Sequence, residues 1–161
     1  GAGAIKAVTA IKGQSLITIE GRGMIGVPGV AARAFAAVAR SGVSVALITQ
    51  ASSEQSICFS VPSVLSAKVI AALEEEFRLE LARRDIDSIV PFEDAVIVTV
   101  VGAGMKHTPG IAGRVFSALG NANVNVVAIA QGSSECSISL VVDAKEADEA
   151  VRAIDQLIVS A

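Results

Sequence analysis

The chain has 161 residues, a hydrophobic share of 52% and a formal net charge of −3. This size and apolarity suit one ordinary folded domain or two small ones and argue against a disordered segment. The acidic balance and the lack of Trp and Tyr argue against a nucleic-acid partner, which needs a basic face and exposed aromatic rings. No apolar run is long enough to cross a membrane, and the two cysteines lack metal or redox spacing, so we expect a cytoplasmic protein.

In chain order, the first half of the sequence alternates short β-branched runs with Ala-rich segments. The β-branched runs predict strands, and the three- to four-residue apolar spacing of the other segments predicts helices. Pro28 is expected to open the first helix, because the missing N–H of proline costs nothing in a first turn, and Gly42 is expected to end it. The predicted elements are a strand at Leu16–Glu20, a helix at Gly29–Arg40, strands at Val43–Thr49 and Ser56–Val61, a helix with Val69, Leu73 and Phe77 on one face, and a strand at Ile86–Val90.

The second half repeats this order, with Pro109 and Asn123 expected to open and end its first helix. The strand that follows this helix is apolar at nearly every residue beyond Asn125, which indicates that both of its faces are covered, by the other half of the chain or by a second chain. The predicted elements are strands at Val96–Val101, Val124–Ala130 and Ser137–Val142, a helix at Gly110–Leu119, and a closing helix.

The two halves are an internal duplication. Leu16–Glu74 aligns with Ile97–Asp155 without a gap, and about 20 of roughly 60 aligned pairs are identical. The strongest match is the pattern Gln-x-Ser-Ser-Glu, which begins at Gln50 in the first copy and at Gln131 in the second. Because both copies keep the same polar residues in the same places, we expect one mechanism to be used twice.

Each half has the order β-α-β-β-α, which is a ferredoxin-like βαββαβ unit without its last strand. We therefore predict an α+β fold of two such modules, each an antiparallel sheet with helices on one face. The first module covers residues 14–90 and takes its fourth strand from Ile86–Val90. The second has too few residues at its end for a fourth strand, so we expect Ile5–Ile11 to complete it. Its residues are then 91–161 plus 5–11, and the first module is nested inside it.

The pattern Gly21-x-Gly23-x-x-Gly26 follows a predicted strand and precedes a helix, as a dinucleotide-binding fingerprint does. In the second repeat His107 replaces the third glycine, the strands that follow form an apparent hairpin, and no acid is placed to bind a ribose. We therefore favour a glycine-permitted turn over a nucleotide site.

The same turn leads into a helix N-terminus, where free backbone N–H groups and the positive end of the helix dipole favour a carboxylate. A small amino acid could place its carboxylate against these amides. They belong to Gly29, Val30 and Ala31 in the first repeat and to Gly110, Ile111 and Ala112 in the second. Gln50 and Gln131 end apolar strands, and their amides could bind an ammonium, a hydroxyl or a carboxylate. The structural alternative is that each amide hydrogen-bonds the adjacent Ser-Ser-Glu turn.

No catalytic constellation is visible in the sequence. The only histidine, His107, has no counterpart in the other repeat and no nucleophile in a recognisable arrangement. Neither Cys58 nor Cys136 is matched by a cysteine in the other copy. Arg33 and Arg114 are matched, but an ion pair or a stem lying on the helix explains them as well as a ligand does. We expect no catalytic site, no metal site and no cofactor in this chain.

The pattern Gly-Met-x-x-x-Pro-Gly-x-Ala-x-Arg-x-Phe, which runs from Gly23 to Phe35, resembles the regulatory region of aspartate kinases. The segment Asn125–Glu135 is similar to the second ACT module of that region. The resemblance covers nearly the whole chain and is strongest to the threonine-sensitive type found in bifunctional aspartokinase–homoserine dehydrogenases.

This resemblance implies a pocket for a feedback amino acid at the interface of ACT modules, which in that family pair side by side, often between chains. It implies that Gln50 and Gln131 bind threonine. Positions lining such pockets are matched by Met24, Gly29, Val30, Ala31, Val45 and Ile48, and Ile129 is the counterpart of Ile48 in the second repeat. Lysine-sensitive relatives carry an aspartate where this chain has Ala46 and Val127, and burial of an unpaired ammonium is costly. Threonine is the expected effector, with lysine as the alternative.

The resemblance also implies that the parent protein is an aspartate kinase, a phosphotransferase that uses ATP and Mg²⁺ in a domain absent from this sequence. The chain would then regulate amino-acid biosynthesis by acting on that kinase domain, as a homodimer formed through its ACT modules. Two rivals come from other classes of function. One is a purely structural dimerisation module, and the other is a small nucleotide-binding protein or enzyme.

Overall fold

The computed structural model describes residues 5–24, 27–50, 56–102, 110–131 and 137–159. The strands are β1 (Ile5–Glu20), β2 (Leu47–Gln50), β3 (Ser56–Pro62), β4 (Ser88–Gly102), β5 (Val126–Gln131) and β6 (Ser137–Asp143). The helices are α1 (Val30–Arg40), α2 (Ser66–Glu76), α3 (Arg78–Ala82), α4 (Ile111–Asn121) and α5 (Ala147–Val159). The order of elements confirms the predicted α+β fold of two ferredoxin-like repeats.

The chain divides into two compact units. Unit one consists of Gly13–Asp94, and unit two consists of the described residues up to Lys12 together with those from Ala95 onward. Two long strands contribute to both units. β1 changes unit between Lys12 and Gly13, and β4 changes unit between Asp94 and Ala95.

Unit one has its strands in the order β2-β3-β1-β4. β3 pairs antiparallel with both β2 and β1, so that Phe59 lies opposite Ile17 on one side and Ile48 on the other. Because opposite residues share a face of the sheet, this face carries the apolar residues that meet α1 and α2. The core contains Ile17, Ile19, Val30, Ala34, Val38, Phe59, Val61, Val69, Leu73, Phe77 and Ile86.

Unit two has its strands in the order β1-β4-β6-β5. β6 pairs antiparallel with β4 and with β5, and Leu140 lies opposite Val98 and Ile129. The core contains Ile5, Val96, Val98, Val100, Ile111, Val115, Leu119, Val124, Leu140, Val142 and Ile154. It is built from small branched side chains, as the composition requires.

Helix ends match the sequence pattern closely at their C-termini. Gly42 and Asn123 follow α1 and α4 with φ of 74° and 59°, the left-handed conformation that ends many helices. The N-termini correct one prediction. Pro28 does not occupy the first turn of α1, because Gly29 is the N-cap and the helix begins at Val30. Pro109 lies outside the described residues.

Several predicted strands have different bounds. The strand expected at Val43–Thr49 begins only at Leu47, and the one expected at Leu16–Glu20 is the end of a 16-residue strand. β4 likewise joins the predicted strands Ile86–Val90 and Val96–Val101 into 15 residues. The long strands were missed because the polar and glycine residues between the apolar runs resemble turns.

Candidate functional site

The N-termini of α1 and α4 share one geometry. Each helix is preceded by a left-handed glycine as N-cap, Gly29 with φ of 86° and Gly110 with φ of 83°. The N–H groups of Arg33 and Arg114 donate to the carbonyl oxygens of these glycines, each at 2.9 Å. The amides earlier in each first turn therefore have no carbonyl of their own helix to bind. Neither N-cap has a side-chain hydrogen bond, and neither first turn contains an acid, among the residues described.

The glycines at both helix ends are not crowded by the described residues. A Cβ added to Gly29 or Gly110 would meet nothing within 4 Å, so the left-handed backbone, and not crowding, requires glycine there. Ala31 and Ala112 are exposed in the first turn of each helix. Each end therefore presents backbone N–H groups and the positive end of a helix dipole, which no side chain of the described residues caps.

The structure brings together part of the predicted residue set. In unit one Val30 is buried in the core, and Met24 and Val45 pack against the same cluster. In unit two Ile111 occupies the position equivalent to that of Val30. These apolar residues anchor the first turns of α1 and α4 to the hydrophobic cores of their units.

The other apolar candidates lie on edge strands. Ile48 on β2 is 59% exposed, and Ile129 on β5 is 49% exposed. The two residues are equivalent in the repeats, and β2 and β5 are the terminal strands of their sheets. No described strand pairs with the far edge of β5, so the cover that its continuous apolar run predicts would come from outside the described residues.

Gln50 and Gln131 end β2 and β5, opposite Ile57 and Ile138 in the strand register. Their side chains, and the Ser-Ser-Glu turns that follow them, lie outside the part of the chain that the structure describes. Their role in ligand binding stays a prediction.

The glycine-rich turn after β1 has a structural explanation. The N–H of Gly23 donates to the carbonyl oxygen of Asp85 at 3.0 Å. A Cβ at Gly23 would lie 2.5 Å from the Asp85 Cα, and one at Gly21 would collide with the Asp85 carbonyl oxygen. Both glycines are therefore needed for close backbone packing, which supports the turn over the nucleotide site. Gly26 and His107 lie outside the described residues.

Arg33 is held in an ion-pair network within unit one. Its guanidinium donates to Glu76 Oε1 at 3.0 Å, to Glu80 Oε2 at 2.5 Å and to the Glu76 backbone oxygen at 2.9 Å. It also lies 4.8 Å from the centre of the Phe77 ring. The hydrogen bond from Arg33 holds the pKa of the Glu80 carboxyl below its usual value. Arg33 therefore joins α1 to Glu76 at the end of α2 and to Glu80 on α3, which gives it a structural role.

The matched arginine of the second repeat differs. Arg114 is exposed on α4, and Leu157 stands at the position equivalent to Glu76. The two arginines are thus conserved between the repeats without a shared ion pair, and the structural explanation applies to Arg33.

No catalytic or metal centre is formed by the described residues. Cys58 is buried, and burial raises the pKa of its thiol, which lies 3.3 Å from the Thr18 hydroxyl. A protonated, buried thiol is a poor nucleophile. Among the described residues no group of His, Cys, Asp and Glu could hold a metal ion, and no helix is long and apolar enough to cross a bilayer. Cys136 lies outside them.

Described residues line two surface grooves. One, of about 450 Å³, lies between α4 and α5 and is lined by Ala118, Asn121, Ala122, Ala153, Gln156 and Leu157. The other, of about 600 Å³, lies beside Arg33 and α3. Neither groove is lined by a predicted effector residue.

One feature of the site was readable in the sequence and was missed. The first turn of α5 contains Asp148 and Glu149, whereas the first turns of α1 and α4 contain no acid. A comparison of the helix starts for acidic residues would have grouped α1 and α4 with α2, whose first turn also contains no acid.

Comparison with known proteins gives the family. Residues 17–77 and 98–157 match the ACT domain. The chain is 49% identical over 153 residues to a bifunctional aspartokinase/homoserine dehydrogenase of Haemophilus influenzae, covering 94% of this chain and 19% of that protein. It is 43% identical over 149 residues to the chloroplastic bifunctional aspartokinase/homoserine dehydrogenase 1 of Zea mays, covering 92% of this chain and 16% of that protein.

Among solved structures, the chain is similar to the regulatory subunit of aspartate kinase from Thermus thermophilus in its ligand-free form. The TM-score is 0.78 at 28% identity, and the match covers 95% of this chain and 97% of that chain. The chain therefore belongs to the ACT-domain family, as two repeats of that domain. More narrowly, it matches the regulatory region of aspartokinases, and it spans less than a fifth of the Zea mays relative's length.

Proposed function

We propose that the chain is the threonine-sensing regulatory region of an aspartate kinase, and that each glycine-capped helix end receives the carboxylate of the amino acid. The observation that carries this proposal is the pair of N-termini at Gly29 and Gly110, which have no side-chain cap and no acid in the first turn among the described residues. A carboxylate there would accept hydrogen bonds from the free amides and neutralise the helix dipole. The relatives at 49% and 43% identity are both bifunctional aspartokinase/homoserine dehydrogenases, which supports threonine.

The remaining groups of threonine have partners in the proposed site. In each site the ammonium of threonine would donate to the side-chain amide oxygen of Gln50 or Gln131. The threonine hydroxyl could donate to that oxygen or accept from the amide nitrogen. Its methyl group would contact the exposed Ile48 or Ile129. Lysine is the weaker candidate, because Ala46 and Val127 supply no carboxylate for its side-chain ammonium.

The rest of each pocket would come from a second copy of the chain. β2 and β5 are short edge strands that each carry a half-exposed isoleucine, a combination that natural proteins usually cover. We assign the modules as residues 14–90 and residues 91–161 plus 5–11, and the division of the chain at Gly13 and Ala95 supports this assignment.

Regulation would follow from a population shift. Threonine that binds one arrangement of the ACT modules more tightly than another stabilises that arrangement, and an attached kinase domain responds to the change. Coupling of this kind is typically worth about 1–3 kcal/mol. The catalytic step itself, with ATP and Mg²⁺, would belong to that kinase domain, and this chain would contribute the effector sites and the dimer contact.

Titration calorimetry with threonine, lysine and methionine tests the proposal. We expect saturable heat with threonine and little or none with lysine and methionine. Gln50→Ala and Gln131→Ala should weaken threonine binding while the melting temperature changes little. Gln156→Ala is the matched control, because Gln156 is an exposed glutamine on α5 away from both helix ends, and it should bind threonine as the unaltered chain does.

The structural rival predicts a different result. If the chain is only a dimerisation module, it will form a stable dimer in sedimentation yet release no heat with threonine at millimolar concentration. A large loss of thermal stability in both Gln50→Ala and Gln131→Ala would also favour that rival, because it would place the amides in structural hydrogen bonds.

A further inference from the structure

The carboxylate of Glu93 joins three elements of unit one. Its Oε2 accepts a hydrogen bond from the Ser15 hydroxyl on β1 at 2.6 Å, and its Oε1 accepts one from the Ser66 hydroxyl on α2 at 3.0 Å. The Ser15 and Ser63 hydroxyl oxygens are hydrogen-bonded at 3.2 Å. Ser15 and Ser66 are 0% and 3% exposed, so Glu93 reaches from β4 to two buried hydroxyls. We call Glu93, Ser15 and Ser66 the serine clasp.

The clasp supplies what the sequence of α2 lacks. The first turn of α2 contains no acid, and its N-cap residue, Leu65, makes no side-chain hydrogen bond. A negative charge near a helix N-terminus is favourable, and Glu93 provides it from a neighbouring strand through Ser66. Helix α5, the counterpart in unit two, carries Asp148 and Glu149 in its own first turn.

The clasp is absent from the second repeat. Lys12, Val96 and Ala147 stand at the positions equivalent to Glu93, Ser15 and Ser66. Val96 and Ala147 belong to the apolar core of unit two. The duplicated sequence has therefore kept a polar, charge-assisted connection in one copy and an apolar one in the other.

The clasp lies next to a residue with unusual backbone geometry in β4. Asp94, the next residue after Glu93, has φ of 55°, and its counterpart Gly13 has φ of 67°. A left-handed residue inside a strand interrupts the extended backbone and increases its local twist. It is strained for Asp and unstrained for Gly. These two residues lie where β4 and β1 pass from one compact unit to the other.

We call each place where a strand passes from one compact unit to the other a strand crossing. We propose that Glu93 is a positioning residue that holds the left-handed residue Asp94 of β4 in place. The chain then has one locked crossing, in β4, and one compliant crossing, in β1. The locked crossing is in β4, where the clasp fixes the residue before Asp94 to β1 and α2. The compliant crossing is at Gly13 in β1, where Lys12 replaces Glu93 and a Cβ would meet nothing within 4 Å.

Hydrogen–deuterium exchange of the whole chain, without ligand, tests the lock. In the unaltered chain, the segment 92–97 should exchange more slowly than the segment 11–16. In Glu93→Ala the segment 92–97 should exchange about ten-fold faster, the order expected for loss of a hydrogen-bonded charge, while the cores of both units keep their protection. Glu149→Ala is the matched control, since Glu149 is an acid in the first turn of α5 that pairs with Arg152 on the surface, and it should leave 92–97 unchanged.

Milder variants keep the test decisive if Glu93→Ala does not fold. Ser66→Ala installs the residue that the second repeat has at this position, and Glu93→Gln removes the charge but keeps one acceptor. Both should speed exchange at 92–97 by less than Glu93→Ala does. Unchanged exchange at 92–97 in these variants overturns the proposal, and so does a uniform increase along the chain, which would mean that Glu93 only stabilises the fold.

A second measurement connects the lock to regulation and rests on the proposed function. If the locked crossing carries the effect of threonine from one repeat to the other, Glu93→Gln should lower the Hill coefficient of threonine binding toward one, with the affinity of the first site within about two-fold of the original. A Hill coefficient that stays unchanged would separate the lock from regulation. If the unaltered chain binds no threonine, the proposed function fails, and the exchange experiment still decides the lock.

Discussion

The helix N-termini of this chain fall into two groups. Helices α1 and α4 begin after a left-handed glycine, with no side-chain cap and no acid in the first turn. Helix α5 begins with Asp148 and Glu149, and α2 receives the carboxylate of Glu93 from β4. Carboxylates of the chain thus lie at the N-termini of α2, α3 and α5, whereas the described residues place no acid in the first turn of α1 or α4. Open ends of this kind suit a ligand that brings its own carboxylate.

Substitution of the glycines that precede α1 should have the largest effect on the free energy of unfolding. Gly23→Ala should lower the free energy of unfolding by about 3 kcal/mol, because the new Cβ would overlap the Asp85 backbone. Gly29→Ala should cost about 1–2 kcal/mol, because its surroundings are open and only the left-handed conformation opposes a side chain. Urea denaturation of both variants measures the difference. Equal costs would contradict the distinction between a packed turn and an open helix end.

The matched arginines Arg33 and Arg114 test whether the same kind of side-chain contact stabilises each repeat internally. Arg33→Ala should lower the free energy of unfolding by about 1–2 kcal/mol, because Arg33 binds two carboxylates and a backbone oxygen but is partly exposed. Arg114→Ala should cost about 0.5 kcal/mol or less, as expected for an exposed surface residue. Chemical denaturation in matched buffers gives both values. An equal cost for the two variants would mean that Arg114 has a structural partner of comparable strength.

Acid should weaken the Arg33 network. The pKa of Glu80 is lowered in the folded state, so its contribution to stability is present above its unfolded pKa of about 4.3 and is lost as the pH falls through the lower folded value. The difference in unfolding free energy between the unaltered chain and Arg33→Ala should therefore shrink as the pH falls from about 5 to about 3. Thermal denaturation across that range measures it, and a difference that is constant or grows would show that the ion pair does not contribute.

Much of the fold could be predicted from local patterns. The duplication was readable by aligning the chain with itself, and the helix ends at Gly42 and Asn123 follow from the left-handed conformation that these residues tolerate. The bounds of β1 and β4 were predicted poorly, because Gly13 and Asp94 resemble turn residues although the strands continue through them. Local patterns do not show which strands remain paired beyond such a residue.

The site was predicted less completely than the fold. The helix ends at Gly29 and Gly110 follow from the glycine and the repeat, whereas the partners of Arg33 depend on how α1 packs against α2 and α3. The serine clasp could not be derived from spacing, because its three residues come from three separate elements. A comparison of the repeats for polar residues replaced by apolar ones would have indicated its position.

The most direct test is to close the open helix ends with the protein's own carboxylates. Ala31→Asp combined with Ala112→Asp places an acid in the first turn of α1 and of α4, at exposed positions. We expect an increase in the free energy of unfolding of about 0.3–1 kcal/mol per helix, because the acid stabilises the dipole. Threonine affinity should fall at least about ten-fold, because the new carboxylate repels that of the ligand. Ala36→Asp, exposed in the middle of α1, is the control. Threonine binding that is unchanged in the double variant would contradict the proposed role of the helix ends.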